Sequence, residues 1–288
     1  MQIREYSLPA GWYPKEAAEI SAFLSEFKKA ADKDRANAAA AVSPHAGWYY
    51  CGKTAALGVS SLKSGADTIA VLGGHLGAGS PALFAMEDAV KTPLGPMEID
   101  APLRSALVKE FDGSGSNIPR AGEDRYRDNT IEVLLPMVRF FFPEAKLLWL
   151  RLPADIKSYE AGKIICKKAG ELGIKLNVLA STDLTHYGSN YGFSPKGSGR
   201  AALRWVREVN DAAFIKAVVS GNPDEVLRRA DEDYSACSAG AVLGAMGFAA
   251  AQGLKPARLL GYATSADAGK DSETPDSFVG YAAFSFNS

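Results

Sequence analysis

The sequence predicts an α/β fold: one layered domain with a largely parallel central sheet flanked by helices. Two features lead there. Short apolar runs, each stopped by Gly, Pro or a polar triplet, alternate with longer stretches of helical period, the order expected of strand–helix–strand units. No internal repeat, low-complexity tract or Pro/Ser-rich linker interrupts the 288 residues, so the pattern reads as a single domain over 1–288.

Each element has its own signal. Ala17, Ile20, Phe23, Leu24 and Phe27 fall at helical spacing among Glu and Lys, predicting an amphipathic helix over 15–33. The run Ala38 to Val42 is halted by Ser43-Pro44-His45-Ala46-Gly47, which marks a buried strand leaving its sheet. A helix over 52–63 follows, then a strand over 68–72 that ends at Gly73-Gly74-His75. Residues 82–100 read as extended, with Pro93-Leu94-Gly95-Pro96 as a turn, and helices are expected over 101–111 and 129–140. Lys146 to Leu150 makes a third central strand, followed by a helix over 157–172. Leu176 to Ala180 is the fourth, ending at Ser181-Thr182-Asp183. Helices over 199–219, 223–230 and 238–251, the last rich in small residues, lead to closing strands over 258–262 and 279–284.

Composition removes several function classes. With 47% apolar and 23% charged residues the chain is of globular type. At a formal net charge of −1, with no Lys/Arg block, it lacks the electrostatic footprint of a nucleic-acid partner. No apolar run reaches the roughly 18 residues of a membrane span. The segment Met1–Tyr6 lacks a basic stretch leading into an apolar one, which argues against a secretory signal. Cys51, Cys166 and Cys237 form no CxxC pair, which argues against a disulfide framework and for a reducing cytoplasm.

The chemistry is concentrated at strand exits. There are three histidines, and His45, His75 and His186 each follow a predicted strand. Loops at the carboxyl ends of parallel strands converge on ligands, so a shared site is favoured over three unrelated surface imidazoles. Gly47, Gly74 and Gly188 nearby allow tight loops. Asp183 and His186 form a D-x-x-H unit: the carboxylate orients the imidazole, or it caps a helical turn and the histidine is satisfied locally. Cys237 precedes the 238–251 helix, where a helix N-terminus favours a thiolate ligand or nucleophile; the alternative is an ordinary buried cysteine, the reading given to Cys51 and Cys166. Glu132, among Ile131, Val133, Leu134 and Leu135, is placed on the solvent face by default.

Read together, seven segments resemble the Memo family, also described as AmmeMemoRadiSam system protein B and related to the class III extradiol ring-cleavage dioxygenases. They are Ala10–Pro14, Pro44–Gly47 through Gly52, Val71–His75, Thr130–Glu132 with Leu135-Pro136, Ser181–Asp183 with His186–Gly188, Tyr262–Ser265 and Val279–Ala283. Each is short, but they fall in family order over nearly the whole chain. The resemblance implies the class III extradiol dioxygenase fold, a group that uses non-haem iron(II) on two histidines and a carboxylate. In the Memo pattern a cysteine stands for the carboxylate, so His45, His75 and Cys237 become the implied metal ligands, with Asp183 and His186 in the same pocket and His186 at the acid/base position. Two imidazoles and a thiolate accept iron(II), but copper or zinc at least as readily. The chain departs from the pattern at Gly73-Gly74-His75, which is one residue shorter, and at Asn129, where many members carry a histidine.

Two functions are therefore expected. The first is a metal-dependent, dioxygenase-like oxidoreductase acting on a small aromatic or redox-active molecule, with catechol turnover weak or absent. The second is a non-catalytic protein that holds a metal or recognises a peptide. An accessory role beside a radical-SAM enzyme is suggested by the system name alone.

Overall fold

The computed structural model describes residues 1–34, 37–113, 117–268 and 275–287. In chain order the elements are β1 (Ile3–Arg4), α1 (Ala17–Asp34), β2 (Ala40–Ser43), α2 (Trp48–Ser61), β3 (Thr68–Gly73), β4 (Ala82–Phe84), β5 (Ala89–Val90) and β6 (Met97–Glu98). They continue with α3 (Ala101–Gly113), β7 (Ala121–Glu123), α4 (Asn129–Glu132), α5 (Leu135–Phe141), β8 (Lys146–Arg151), α6 (Lys157–Glu171), β9 (Leu176–Ser181) and β10 (His186–Gly188). The last are α7 (Gly199–Trp205), α8 (Asp211–Val219), α9 (Pro223–Glu232), α10 (Ala239–Ala251), β11 (Arg258–Thr264) and β12 (Ser277–Phe286).

The main sheet runs β10-β12-β2-β9-β3-β8-β4-β7, with β11 also paired to β12. Its centre, β2-β9-β3-β8, is parallel; β12 and β4 flank it antiparallel. The central strands are mostly apolar, and every residue in them but Lys146 is buried, because both faces are covered. Alternate residues go to opposite sides. Ala70, Leu72, Leu148, Leu150, Val178 and Ala180 pack with α3, α6, α8 and α10, whereas Ile69, Val71, Leu147, Trp149 and Leu179 pack with α1, α2 and α5. The predicted α/β layering with a largely parallel central sheet is what the structure shows.

The structure differs from expectation in three places. The helix expected over 129–140 is two pieces, α4 and α5, with Pro136 in the first turn of the second, where a missing N–H does no harm. The helix expected over 199–219 contains a π-turn at Val206–Asn210 between α7 and α8. Glu132 is not on the solvent face. It is buried, and it accepts hydrogen bonds from Ser7 N (2.7 Å), Leu8 N (3.0 Å), the Tyr13 hydroxyl (2.9 Å) and the Ser7 hydroxyl. One carboxylate therefore ties the N-terminal arm to α4. Glu132→Ala would strand two backbone donors and two hydroxyls, each worth about 1–3 kcal/mol if left unpaired. Allowing for water entering the gap, we expect a loss of about 3 kcal/mol, read from the urea midpoint; an unshifted midpoint would show that the arm is held otherwise. No helix among the described residues is long and apolar enough to cross a membrane.

Candidate metal centre

The adjacent strands β2, β9 and β3 deliver their carboxyl ends to one edge of the sheet, and His45, Asp183 and His75 follow them directly. Cys237 comes from the loop before α10. That loop is pinned to the β9 exit by Cys237 N donating to the Asp183 carbonyl (3.2 Å) and Ser238 N donating to the Thr182 hydroxyl (3.2 Å). The result is that one donor atom each of His45, His75 and Cys237 lies within 4.8 Å of the others, a group that can hold a metal ion. His45 Nε2 is 3.2 Å from Cys237 Sγ, and the two imidazole rings meet edge to face with centroids 5.0 Å apart.

Both imidazoles are oriented from behind. His45 is buried; its Nδ1 lies 2.6 Å from the Ser181 hydroxyl and its backbone N–H donates to Asp183 Oδ1 (2.7 Å). His75, 34% exposed at the side chain, sets Nδ1 against Asp128 Oδ2 at 3.0 Å. Gly74 is needed for close approach, because a Cβ there would fall inside 3.0 Å of Ser238. The positive φ in this turn belongs to His75 itself, at 57°. Sequence reasoning credited the glycine with that freedom; the histidine carries it.

The three donors form one charge-coupled cluster, in which the imidazole protons hold the place that a metal ion would take. Burial alone would raise the Cys237 thiol, but the His45 and His75 imidazoles outweigh it and hold the thiol well below its ordinary range. The imidazoles are thus a cause that the sequence reading did not name. Burial opposes charge on His75 too, yet hydrogen bonds to Asp128 and Cys237 push it up to about 10. His45 is likewise raised, Cys237 and Asp183 overcoming its burial. A tetrahedral ion with Zn–S near 2.3 Å and Zn–N near 2.0–2.1 Å asks for N···S separations of roughly 3.5 Å. The 3.2 Å observed between His45 and Cys237 is within a small adjustment of that. The residues present fit a metal.

Of the two arrangements that the D-x-x-H spacing allowed for Asp183 and His186, the hydrogen bonds are those of a histidine satisfied locally. The Asp183 carboxylate is engaged by His45, with Oδ2 3.9 Å from His45 Nε2, and burial raises it. His186 opens β10 and donates Nδ1–H to the Leu184 carbonyl (3.1 Å), with Tyr191 edge-on at 5.0 Å. The preceding residue, Thr185, is anchored through its N–H and hydroxyl to Asp211, a buried carboxyl pushed up to about 6 by desolvation. His45, His75, Asp183 and His186 all line one cleft of about 1160 Å³, walled by Trp12, Tyr50, Tyr191 and Tyr281. Asn129 lines it as well and donates to the His45 carbonyl (2.9 Å).

Sequence reasoning missed Asp128 and Ser181. Asp128 caps α4 through the Thr130 N–H (2.9 Å), and an Asp before a helical run is a recognisable cap signal. Nothing local reveals its second bond to His75. Cys51 is buried in the core as expected, and all three cysteines are free.

Comparison with known proteins returns one family and a set of archaeal relatives. The Memo-like protein family matches residues 4–285. A MEMO1 family protein of Pyrococcus horikoshii is 29% identical over 294 residues, covering 97% of this chain and 98% of that protein. One from Methanococcus maripaludis is 34% identical over 253 residues, covering 84% and 81%. A crystal structure of an uncharacterized Escherichia coli K12 protein aligns with a TM-score of 0.47 at 13% identity, over 85% of this chain and 98% of that one.

Proposed function

The chain belongs to the Memo family, and from that premise we propose that it is a metal-dependent protein whose His45, His75 and Cys237 hold one divalent transition-metal ion on the floor of the cleft. The observation that supports this reading is the convergence of those three donors to within 4.8 Å from loops distant in sequence. Three protein ligands leave a coordination position for a small molecule, the arrangement of reactive rather than purely structural centres. Iron(II) suits a dioxygenase-like oxidoreductase; copper or zinc suits the softer thiolate.

A bound ion would supply Lewis acidity and, if redox-active, electrons. The chain's own groups do the rest. His186, with its Nδ1 proton committed to Leu184, has Nε2 left as a proton acceptor or donor beside the cleft. Asp183 fixes the backbone of the His45 loop through that residue's N–H. Trp12, Tyr50, Tyr191 and Tyr281 provide faces against which a planar molecule can lie.

The test is elemental analysis of protein purified without air, followed by aerobic incubation of the iron(II)-loaded form with a panel of catechols. We expect close to one metal per chain, and ring-cleavage absorbance that is weak or absent. Protein that takes up neither iron, copper nor zinc would end this reading. A second reading, metal-supported recognition of a peptide, is favoured by the size of the cleft. It exceeds the roughly 300–1,000 Å³ that serves drug-sized molecules. The compartment proposed is the cytoplasm; a small molecule or peptide is the proposed ligand, and a radical-SAM enzyme a further partner to test.

A further inference from the structure

We infer that Asp128, Thr130 and Arg151 form a clamp that positions His75 at the end of the Gly73-Gly74-His75 turn; this rests on the metal reading above. The turn ends on a residue with a side chain in the left-handed region, φ 57° for His75. Such a conformation persists only when its surroundings over-determine it. Here they do, from three directions. The Thr130 hydroxyl accepts from Gly74 N (3.2 Å), Arg151 Nε donates to the Gly74 carbonyl (3.0 Å), and Asp128 Oδ2 takes His75 Nδ1 at 3.0 Å.

The clamp is itself immobilised. Asp128 accepts from Thr130 N and its hydroxyl and pairs with Arg151 Nη2 at 3.2 Å. Arg151 Nη1 reaches Asp124 Oδ1 at 3.3 Å, and Trp149 Nε1 donates to the other Asp124 oxygen at 2.7 Å. Arg151, Asp124 and Asp128 have side-chain exposures of 5%, 0% and 8%, so their pairing is shielded from solvent. With both oxygens engaged, the Asp128 carboxylate cannot turn away. It holds the proton on His75 Nδ1, and Nε2 is left to face an ion. This is the outer-shell arrangement that fixes a ligating imidazole's tautomer and raises its basicity. His45 has the Ser181 hydroxyl in that place where His75 has a carboxylate, so the two imidazoles are unequal by construction.

Two measurements test the clamp, one of them without metal. In the metal-free wild type, NMR should show a slowly exchanging, downfield ring proton on His75 Nδ1, identified by its absence in His75→Gln. It should vanish in Asp128→Ala and weaken in Asp128→Asn, which keeps the size and can fold where the alanine does not. Cobalt(II) titration should show affinity falling about 10–100-fold in Asp128→Asn and in Arg151→Gln. The wild-type resonance being absent, its survival in Asp128→Ala, or cobalt affinity in Asp128→Asn within about threefold of wild type would each overturn the proposal. A wild type that shows the proton but binds no cobalt refutes the metal reading alone and leaves the clamp standing.

Discussion

Cobalt(II) should bind Cys237→Ala more than about 100-fold more weakly than wild type, with the fold intact. The two halves of that expectation have separate causes. Removing Sγ takes away the one anionic donor of the three, and a ligand should count for more than the 10–100-fold of an outer partner. The thiol also needs little deprotonation to ligate, since His45 and His75 hold it well below the ordinary thiol range. The fold should survive because the anchors of this loop are backbone groups: Cys237 N on the Asp183 carbonyl and Ser238 N on Thr182. Alanine keeps both. The measurement is metal content together with the sulfur-to-cobalt absorption band, with the urea midpoint as control. Equal metal content in the two proteins would remove Cys237 from the ligand set.

What the sequence disclosed and what it hid divide along one line. His45, His75 and His186 could be brought together in advance because each follows a predicted strand, and a parallel sheet sends all such exits to one edge; all three line the one cleft. Cys237 needed the family pattern as well, since it follows no strand and lies in the connection between α9 and α10. Asp128, Ser181 and Arg151 were hidden because their partners are set by tertiary contact: Asp128 is 53 residues from His75, and Ser181 is 136 from His45. Glu132 was misplaced because periodicity cannot distinguish a solvated carboxylate from one met by four donors of an irregular arm. β7 and β10, three residues each, are too short to carry a period at all.

The small-residue character of α10 was visible in the sequence, and its consequence supplies a second large expected effect. In an ordinary exposed helix, Gly→Ala stabilises by up to about 1 kcal/mol. Gly240→Ala should do the reverse. A Cβ at Gly240 would sit well inside 3.0 Å of the Pro153 and Leu152 carbonyl oxygens, and one at Gly247 would strike the Tyr159 carbonyl. These obstacles are backbone, so no rotamer change relieves them; α10 must withdraw from the β8–α6 connection or from α6. Overpacking of this kind costs about 1–3 kcal/mol, and a backbone obstacle belongs at the upper end. The two substitutions should nevertheless separate at the metal. Gly240 is three residues beyond Cys237, in the first turn of α10, where Ser238 packs against Gly74. Withdrawing that end carries the thiol away from His45 and His75 together. Gly247 lies about two turns further along, so its displacement can be absorbed before it reaches the ligand. Both variants should lose stability in urea, and cobalt affinity should fall several-fold more in Gly240→Ala than in Gly247→Ala. A Gly240→Ala protein as stable as wild type would show that α10 is not held at that contact. Equal cobalt losses in the two would show that the helix moves as a rigid rod.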